Sequence, residues 1–234
     1  PVGGAHPAEP YQSLLPLENA VQNWLDQPIG KLDHAILPEG KLEAALHGSQ
    51  VAALFNQVQL AETGADFSCT SLGNDPVGLA SPVTMRGVTA AYLFANTLVV
   101  LEVTEEVLRQ TLERCAAYFT LVDGQPQISE EFLLPKVEHY NYDFYAGLAY
   151  TFDLRRPVGS RVVRLTKLDG SPLENGKFRL CTSNYRATGT GGYDALRKCP
   201  VLWRGGVEMP DLTARYIQTH SPVPLLHNVD MQVI

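Results

Sequence analysis

The stretch Asn184-Tyr185-Arg186-Ala187-Thr188-Gly189-Thr190-Gly191-Gly192-Tyr193 packs three glycines into four positions between two tyrosines, and few backbone paths suit it. Before it, Lys177-Phe178-Arg179-Leu180-Cys181-Thr182-Ser183 reads as a β-strand by its alternation and its Phe, Cys and Thr content. The chain is therefore expected to leave a sheet edge into a tight loop. Glycine admits positive φ and lets a ligand approach the main chain closely. A tyrosine at each end offers a flat face and one hydroxyl. Such a loop can clamp a planar ligand. It can also be a Gly-rich turn flanked by core tyrosines, and the loop alone does not decide. It is not a dinucleotide fingerprint, because the G-x-G-x-x-G spacing is missing.

The rest of the chain supplies strands and helices in an order that excludes regular βαβ alternation. Residues 1–13 are rich in Pro, Gly and Ala and suggest a flexible lead-in. Leu17, Val21, Trp24 and Leu25 then recur at helical spacing, and Pro28-Ile29-Gly30 ends that helix. One further helix is expected from Lys41 to Gln59, with Val51, Leu54, Phe55 and Val58 on a stripe. Asp66–Leu72 reads as a strand broken at Gly73-Asn74-Asp75-Pro76. A short helix ends near Tyr92-Leu93-Phe94, and Ala95-Asn96 turns into the β-branched run Leu98–Val103. Thr104 then caps a helix with Glu105 and Glu106 in its first turn and Leu108, Leu112, Cys115 and Phe119 on one side. Arg109, Glu113 and Arg114 read as its solvated face.

Residues 121–140 are weakly patterned around an Asp123-Gly124 turn. Strands at 148–154, 161–168 and 178–183 follow, and the turns between them predict an antiparallel meander. A last helix starts near Asp211, and the tail Val229–Ile234 can add an edge strand. The class is α+β, with mixed, largely antiparallel sheets and packed helices.

A net charge of −7 over 234 residues, with no long basic cluster, argues against a nucleic-acid partner. No apolar run is long enough to span a membrane, and no signal peptide is recognisable. The chain opens Pro1-Val2-Gly3-Gly4 without methionine, which suggests a fragment or a mature product. Four cysteines form no C-x-x-C pair; Cys115 and Cys181 sit among apolar neighbours and read as core. The six histidines make no metal-ligand spacing, the nearest approaches being His139 with Asp143 and His227 with Asp230. No G-x-S-x-G nucleophile occurs. No metal site and no catalytic residue is expected in this chain.

Binding remains. Phe94 and Tyr185 are carried by two loops beside strands, and two facing rings would sandwich a planar heterocycle. Asn96, Asn184 and backbone groups of the Gly loop could read its polar edges. Both rings could instead be core aromatics.

The run Asn184-Tyr185-Arg186-Ala187 with its Gly-rich continuation resembles the N-[YF]-x-A-x-G-G signature of the C-terminal domain of 5′-nucleotidases. The bacterial 2′,3′-cyclic-nucleotide 2′-phosphodiesterase/3′-nucleotidases are the more similar branch. Gln27-Pro28-Ile29-Gly30, Asn96-Thr97-Leu98, Asn141-Tyr142-Asp143 and Arg156-Pro157-Val158-Gly159 match that family's motifs in order, over roughly residues 17–220. The resemblance implies residues 1–30 as lead-in and linker helix and 31–234 as the substrate-binding domain. It implies a base stacked between Phe94 and Tyr185, with Asn96, Asn184, Gly189, Gly191 and Gly192 on its edge or ribose. Two divalent metals and the hydrolysis would belong to a separate N-terminal metallophosphoesterase domain, whose D-x-H and G-N-H-[DE] motifs are absent here. The implied substrates are 2′,3′-cyclic nucleotides and 3′- or 5′-nucleotides, as in nucleotide catabolism, and the implied place is the periplasm, the medium or the cell surface. Two departures weaken a plain 5′-nucleotidase reading: Gly191 stands where many carry a carboxylate, and Ser71-Leu72-Gly73-Asn74-Asp75-Pro76 replaces an Asn-Gly-Gly-Gly-x-Arg loop. The alternative is a non-catalytic cell-surface interaction domain.

Overall fold

A computed structural model describes residues 9–174, 176–226 and 230–234; His6, His227 and the first eight residues of the expected lead-in lie outside the described residues. Residues 9–13 are helical, the start of α1 (Glu9–Asp26). After β1 (Pro28–Gly30) the expected single helix proves to be two, α2 (Lys41–His47) and α3 (Gln50–Thr63). Gly48 takes φ 90 between them, and the Ser49 hydroxyl accepts from Ala52 N to start α3 afresh. A continuous stripe over 41–59 cannot reveal that break, because it depends on one glycine and one cap.

Strand β2 (Phe67–Ser71) precedes β3 (Val83–Thr84) and α4 (Met85–Ala91). Next come β4 (Thr97–Val103) and α5 (Glu105–Ala116), whose N-cap Thr104 accepts from Val107 N as its sequence predicts. The weakly patterned segment contains a hairpin, β5 (Phe119–Val122) and β6 (Gln125–Ile128), turning at Asp123 and Gly124 with φ 51 and 76. Phe119 thus opens a strand and does not continue the helix stripe.

The remaining elements are β7 (Asp143–Ala146), β8 (Leu148–Phe152), β9 (Val162–Lys167), β10 (Phe178–Ser183), α6 (Asn184–Ala187), α7 (Asp194–Arg197), β11 (Val201–Glu208), α8 (Met209–His220) and β12 (Met231–Val233). Strand β11 carries no alternation and contains Gly205-Gly206, so the sequence does not announce it. The tail does add an edge strand, with β12 parallel to β8.

A five-stranded sheet runs in the order β11-β4-β10-β2-β7, and a three-stranded one in the order β12-β8-β9. Only β10 with β2 pairs parallel in the larger sheet. Strands β8 and β9 form the expected hairpin, but β9 and β10 lie in different sheets, so the meander stops there. Hydrogen bonding across the larger sheet explains the change: β10 finds partners on both sides in β4 and β2.

Residue parity sets the layers. In β4, Leu98 and Val100 join a core with α3, α4 and α8, while Val99, Leu101 and Val103 join one with α5, β8 and β9. A central strand buried on both faces reads as an unbroken apolar run, as Leu98–Val103 nearly does. The α+β class stands.

Candidate functional site

Register brings the two aromatic loops together. Strand β10 lies antiparallel to β4 with Ser183 opposite Leu98. The residues leaving β10, Asn184 and Tyr185, therefore meet those entering β4, Phe94 and Asn96. Asn184 Oδ1 accepts from Thr97 N at 3.3 Å and latches the two segments. Strand β2 runs parallel to β10, so its last residue, Ser71, reaches the same edge, opposite Asp143 at the start of β7. A cleft of about 280 Å³ opens there, lined by Ser71, Phe94, Asn96, Lys136, Tyr140 and Tyr185. β10 is thus central in its sheet, and the loop leaves its end, not a sheet edge.

Phe94 is half-buried, its ring edge-on to Tyr92 at 6.1 Å and to Tyr140 at 6.4 Å. Tyr185 is 40% exposed, so it is no core aromatic. The tyrosine at the other end of the Gly loop is different. Tyr193 is buried in the core, its hydroxyl donating to Asn141 O at 3.0 Å, and it takes no part in the cleft. Of the two tyrosines that bracket the Gly loop only Tyr185 lines the cleft, and it does so together with Phe94.

Arg186 fixes this edge. Its guanidinium donates to both carboxylate oxygens of Asp143 at 2.8 Å, to Thr190 O at 2.7 Å and to Tyr140 O at 2.8 Å. It lies 4.0 Å from the Tyr193 ring centre. Both partners of the pair are only 2% exposed. Burial pushes the Asp143 carboxyl up and the Arg186 charge pulls it back. For Arg186 burial is the largest single influence and acts downward, but the Asp143 charge and hydrogen bonds together with the neighbouring Tyr193 outweigh it and raise the guanidinium. Two parallel contacts at 2.8 Å decide for an ionised pair at neutral pH. One side chain thereby ties the Gly loop, the Tyr140 backbone and β7 to the helical turn that carries Tyr185.

The three loop glycines serve that arrangement, and none of them lines the cleft. Gly189, Gly191 and Gly192 have φ of 84, 81 and 89. A Cβ on Gly191 would lie 2.2 Å from Asn141 Oδ1, and one on Gly192 would lie 2.4 Å from Arg114 Nε. Arg114 Nε itself donates to Gly191 O at 2.8 Å. The face of α5 expected to be solvated is accordingly in use. Arg109 donates to Val162 O, and Glu113 accepts from Arg161 N and Val162 N.

Sequence reasoning missed Ser71, Lys136 and Tyr140. The usable signal for Tyr140 was its place just before the β7 strand; nothing marked Lys136. Lys136 Nζ donates to Tyr140 Oη at 3.0 Å, and Tyr140 Oη donates to Glu138. Asn74 Nδ2 reaches Val137 O at 2.9 Å and braces the same segment. Behind it, Lys41 Nζ donates to Gly73 O at 2.8 Å; burial lowers its pKa to about 8, with Asp75 opposing. His139 hydrogen-bonds the Tyr118 hydroxyl and does not approach Asp143 as a ligand. Among the described residues no group of His, Cys, Asp and Glu is arranged to hold a metal ion. Cys69, Cys115 and Cys181 are buried free thiols pushed up by burial, the last two to about 12.

The fold and cleft define an α+β domain with an aromatic-lined cleft at one end of its larger sheet. Residues 28–198 match the family described as 5′-nucleotidase, C-terminal domain, and the chain belongs to that family. A 2′,3′-cyclic-nucleotide 2′-phosphodiesterase/3′-nucleotidase of Haemophilus influenzae is 28% identical over 209 residues, covering 75% of this chain and 32% of its own. A solved Staphylococcus aureus structure, provisionally assigned as a 5′-nucleotidase, shares 31% identity at a TM-score of 0.89 over 98% of this chain and 44% of its own. A 5′-nucleotidase precursor from Thermus thermophilus shares the fold at a TM-score of 0.75 and 22% identity, over 96% of this chain and 43% of its own. The chain spans about a third of the Haemophilus relative and less than half of the two solved chains. Among the described residues no helix is long and apolar enough to cross a membrane.

Proposed function

We propose that this chain is the nucleotide-recognising part of a two-domain metallophosphoesterase, with residues 31–234 as the substrate-binding domain and 1–30 as lead-in and linker helix. The base stacks between Phe94 and Tyr185. Asn96 meets its edge or ribose, Asn184 holds the two loops in register, and Gly189, Gly191 and Gly192 shape the loop behind Tyr185. The two divalent metals and the bond-breaking step belong to an N-terminal domain outside this chain. The substrates are 2′,3′-cyclic nucleotides or 3′- or 5′-nucleotides, degraded in the periplasm, the medium or at the cell surface.

The observation that supports this reading most is that Phe94, Asn96 and Tyr185, from loops far apart in sequence, line one cleft. A stack on each ring contributes roughly 1–3 kcal/mol. The test is a titration of adenosine and 3′-AMP into the chain, followed by backbone amide shifts. Saturable binding that weakens by about tenfold or more in Tyr185→Ala is expected. No shift up to millimolar ligand, in a folded protein, removes the nucleotide reading. The alternative of an interaction domain draws on the outer strand β11, where Val201, Leu202, Trp203 and Val207 are exposed, and it gains if that titration fails.

A further inference from the structure

The cleft contains one cation that neither the stacking scheme nor the family motifs use. Lys136 lines it beside Tyr140 and Tyr185. Its ammonium has three donors. Among the described residues its one hydrogen-bond partner is Tyr140 Oη at 3.0 Å, so two N–H groups remain for a ligand. Its partner is in turn oriented: the Tyr140 hydroxyl donates to Glu138 Oε1 at 3.0 Å, and Glu138 Oε2 accepts from Asn141 Nδ2 at 2.9 Å. Such a chain polarises each bond in turn. The backbone around it is pinned by Asn74 on Val137 O and by Arg186 on Tyr140 O.

An ammonium at the rim of a cleft that stacks a ring, drawn to one side by the Tyr140 hydroxyl, can reach the edge of that ring. Bases differ in what they present there. Guanine and hypoxanthine offer two adjacent acceptors, O6 and N7; adenine pairs N7 with an amino donor, and cytosine shows an amino group. We infer that Lys136 is the specificity-determining residue of the cleft and selects 6-oxopurine nucleosides, guanine or hypoxanthine, over adenine and cytosine. The phosphate is a poorer candidate for the ammonium. In the proposed function it must reach metals outside this chain, whereas Lys136 lines the same cleft as Phe94 and Tyr185. The inference rests on that function, since it needs a base in the cleft.

The experiment compares inosine, guanosine, adenosine, cytidine and ribose 5-phosphate as ligands of the wild-type chain, of Lys136→Met and of Tyr185→Ala, by amide shifts. Methionine keeps most of the apolar stem and removes the charge. Inosine and guanosine should bind about five- to a hundredfold tighter than adenosine, the range for a base-edge contact. In Lys136→Met that preference should vanish, with inosine and guanosine weakened far more than adenosine. Equal binding of all four nucleosides, or a preference that survives Lys136→Met, overturns the inference and leaves the stacking reading intact. Ribose 5-phosphate binding as tightly as inosine also overturns it, since Lys136 would then hold an anion. Binding by none of them defeats both readings together.

Discussion

Removing Arg186 should damage this domain more than removing any other single charge, and in a pH-dependent way. In Arg186→Met the Asp143 carboxyl stays buried without its partner, and Thr190 O and Tyr140 O lose their donor. Breaking a buried pair from one side costs about 3–5 kcal/mol. An independent bound comes from protonation. If Asp143 escapes by taking up a proton, the penalty at pH 7 is limited to the cost of protonating a carboxyl of reference pKa 3.8. At about 1.4 kcal/mol per unit, that is roughly 4 kcal/mol. The two estimates agree, and both are a large share of a typical domain's 5–15 kcal/mol.

The sign with pH follows. In the variant the folded state holds a proton that the unfolded state releases above pH 3.8. Folding is then favoured as pH falls toward 3.8, and between pH 7 and pH 5 the deficit relative to wild type should shrink by about 2–3 kcal/mol. Urea unfolding followed by circular dichroism at both pH values measures it. Asp143→Asn in the same background should recover much of the pH 7 deficit, because no charge remains to bury. A deficit under about 1 kcal/mol that does not change with pH would refute the ionised buried pair.

Gly191→Ala should lower the melting temperature by about 5–15 °C, since a Cβ would sit 2.2 Å from Asn141 Oδ1 at φ 81; an unchanged melting curve would mean that the loop path is not enforced. Glu113→Ala should cost about 1.5–3 kcal/mol in chemical unfolding, because its carboxylate accepts two backbone N–H groups; a change within about 0.5 kcal/mol would restore the solvated-face reading. Lys41 has its pKa lowered to about 8 from 10.5, so the unfolded chain binds the extra proton between those values. Wild-type stability relative to Lys41→Met should therefore rise as pH is raised from 8 toward 10.5 and stay flat below 8; a flat difference throughout would contradict the burial of that ammonium.

What was legible in the sequence was what local pattern encodes. Thr104 with Glu105 and Glu106 announces α5 and its cap, and Leu98–Val103 announces a strand buried on both faces. Phe94, Asn96 and Tyr185 were legible because they flank strands whose ends the pattern locates; one antiparallel pairing then carries them to one cleft. What was not legible depends on partners distant in sequence. Arg186 reads as one more loop cation until β7 brings Asp143 beneath it, and Glu113 reads as surface until β9 offers it two N–H groups. Lys136 is the extreme case. It stands in a segment without period, and only the fold brings it to the cleft that Tyr140 and Tyr185 also line. The glycines carry the same lesson from the other side. Their clustering suggested contact with a ligand, yet Arg114, Asn141 and Arg186 already occupy the space a side chain would need. A Gly-rich loop can thus mark a cleft by letting protein side chains close behind it, while the cleft itself is lined by Tyr185, four residues before the first glycine.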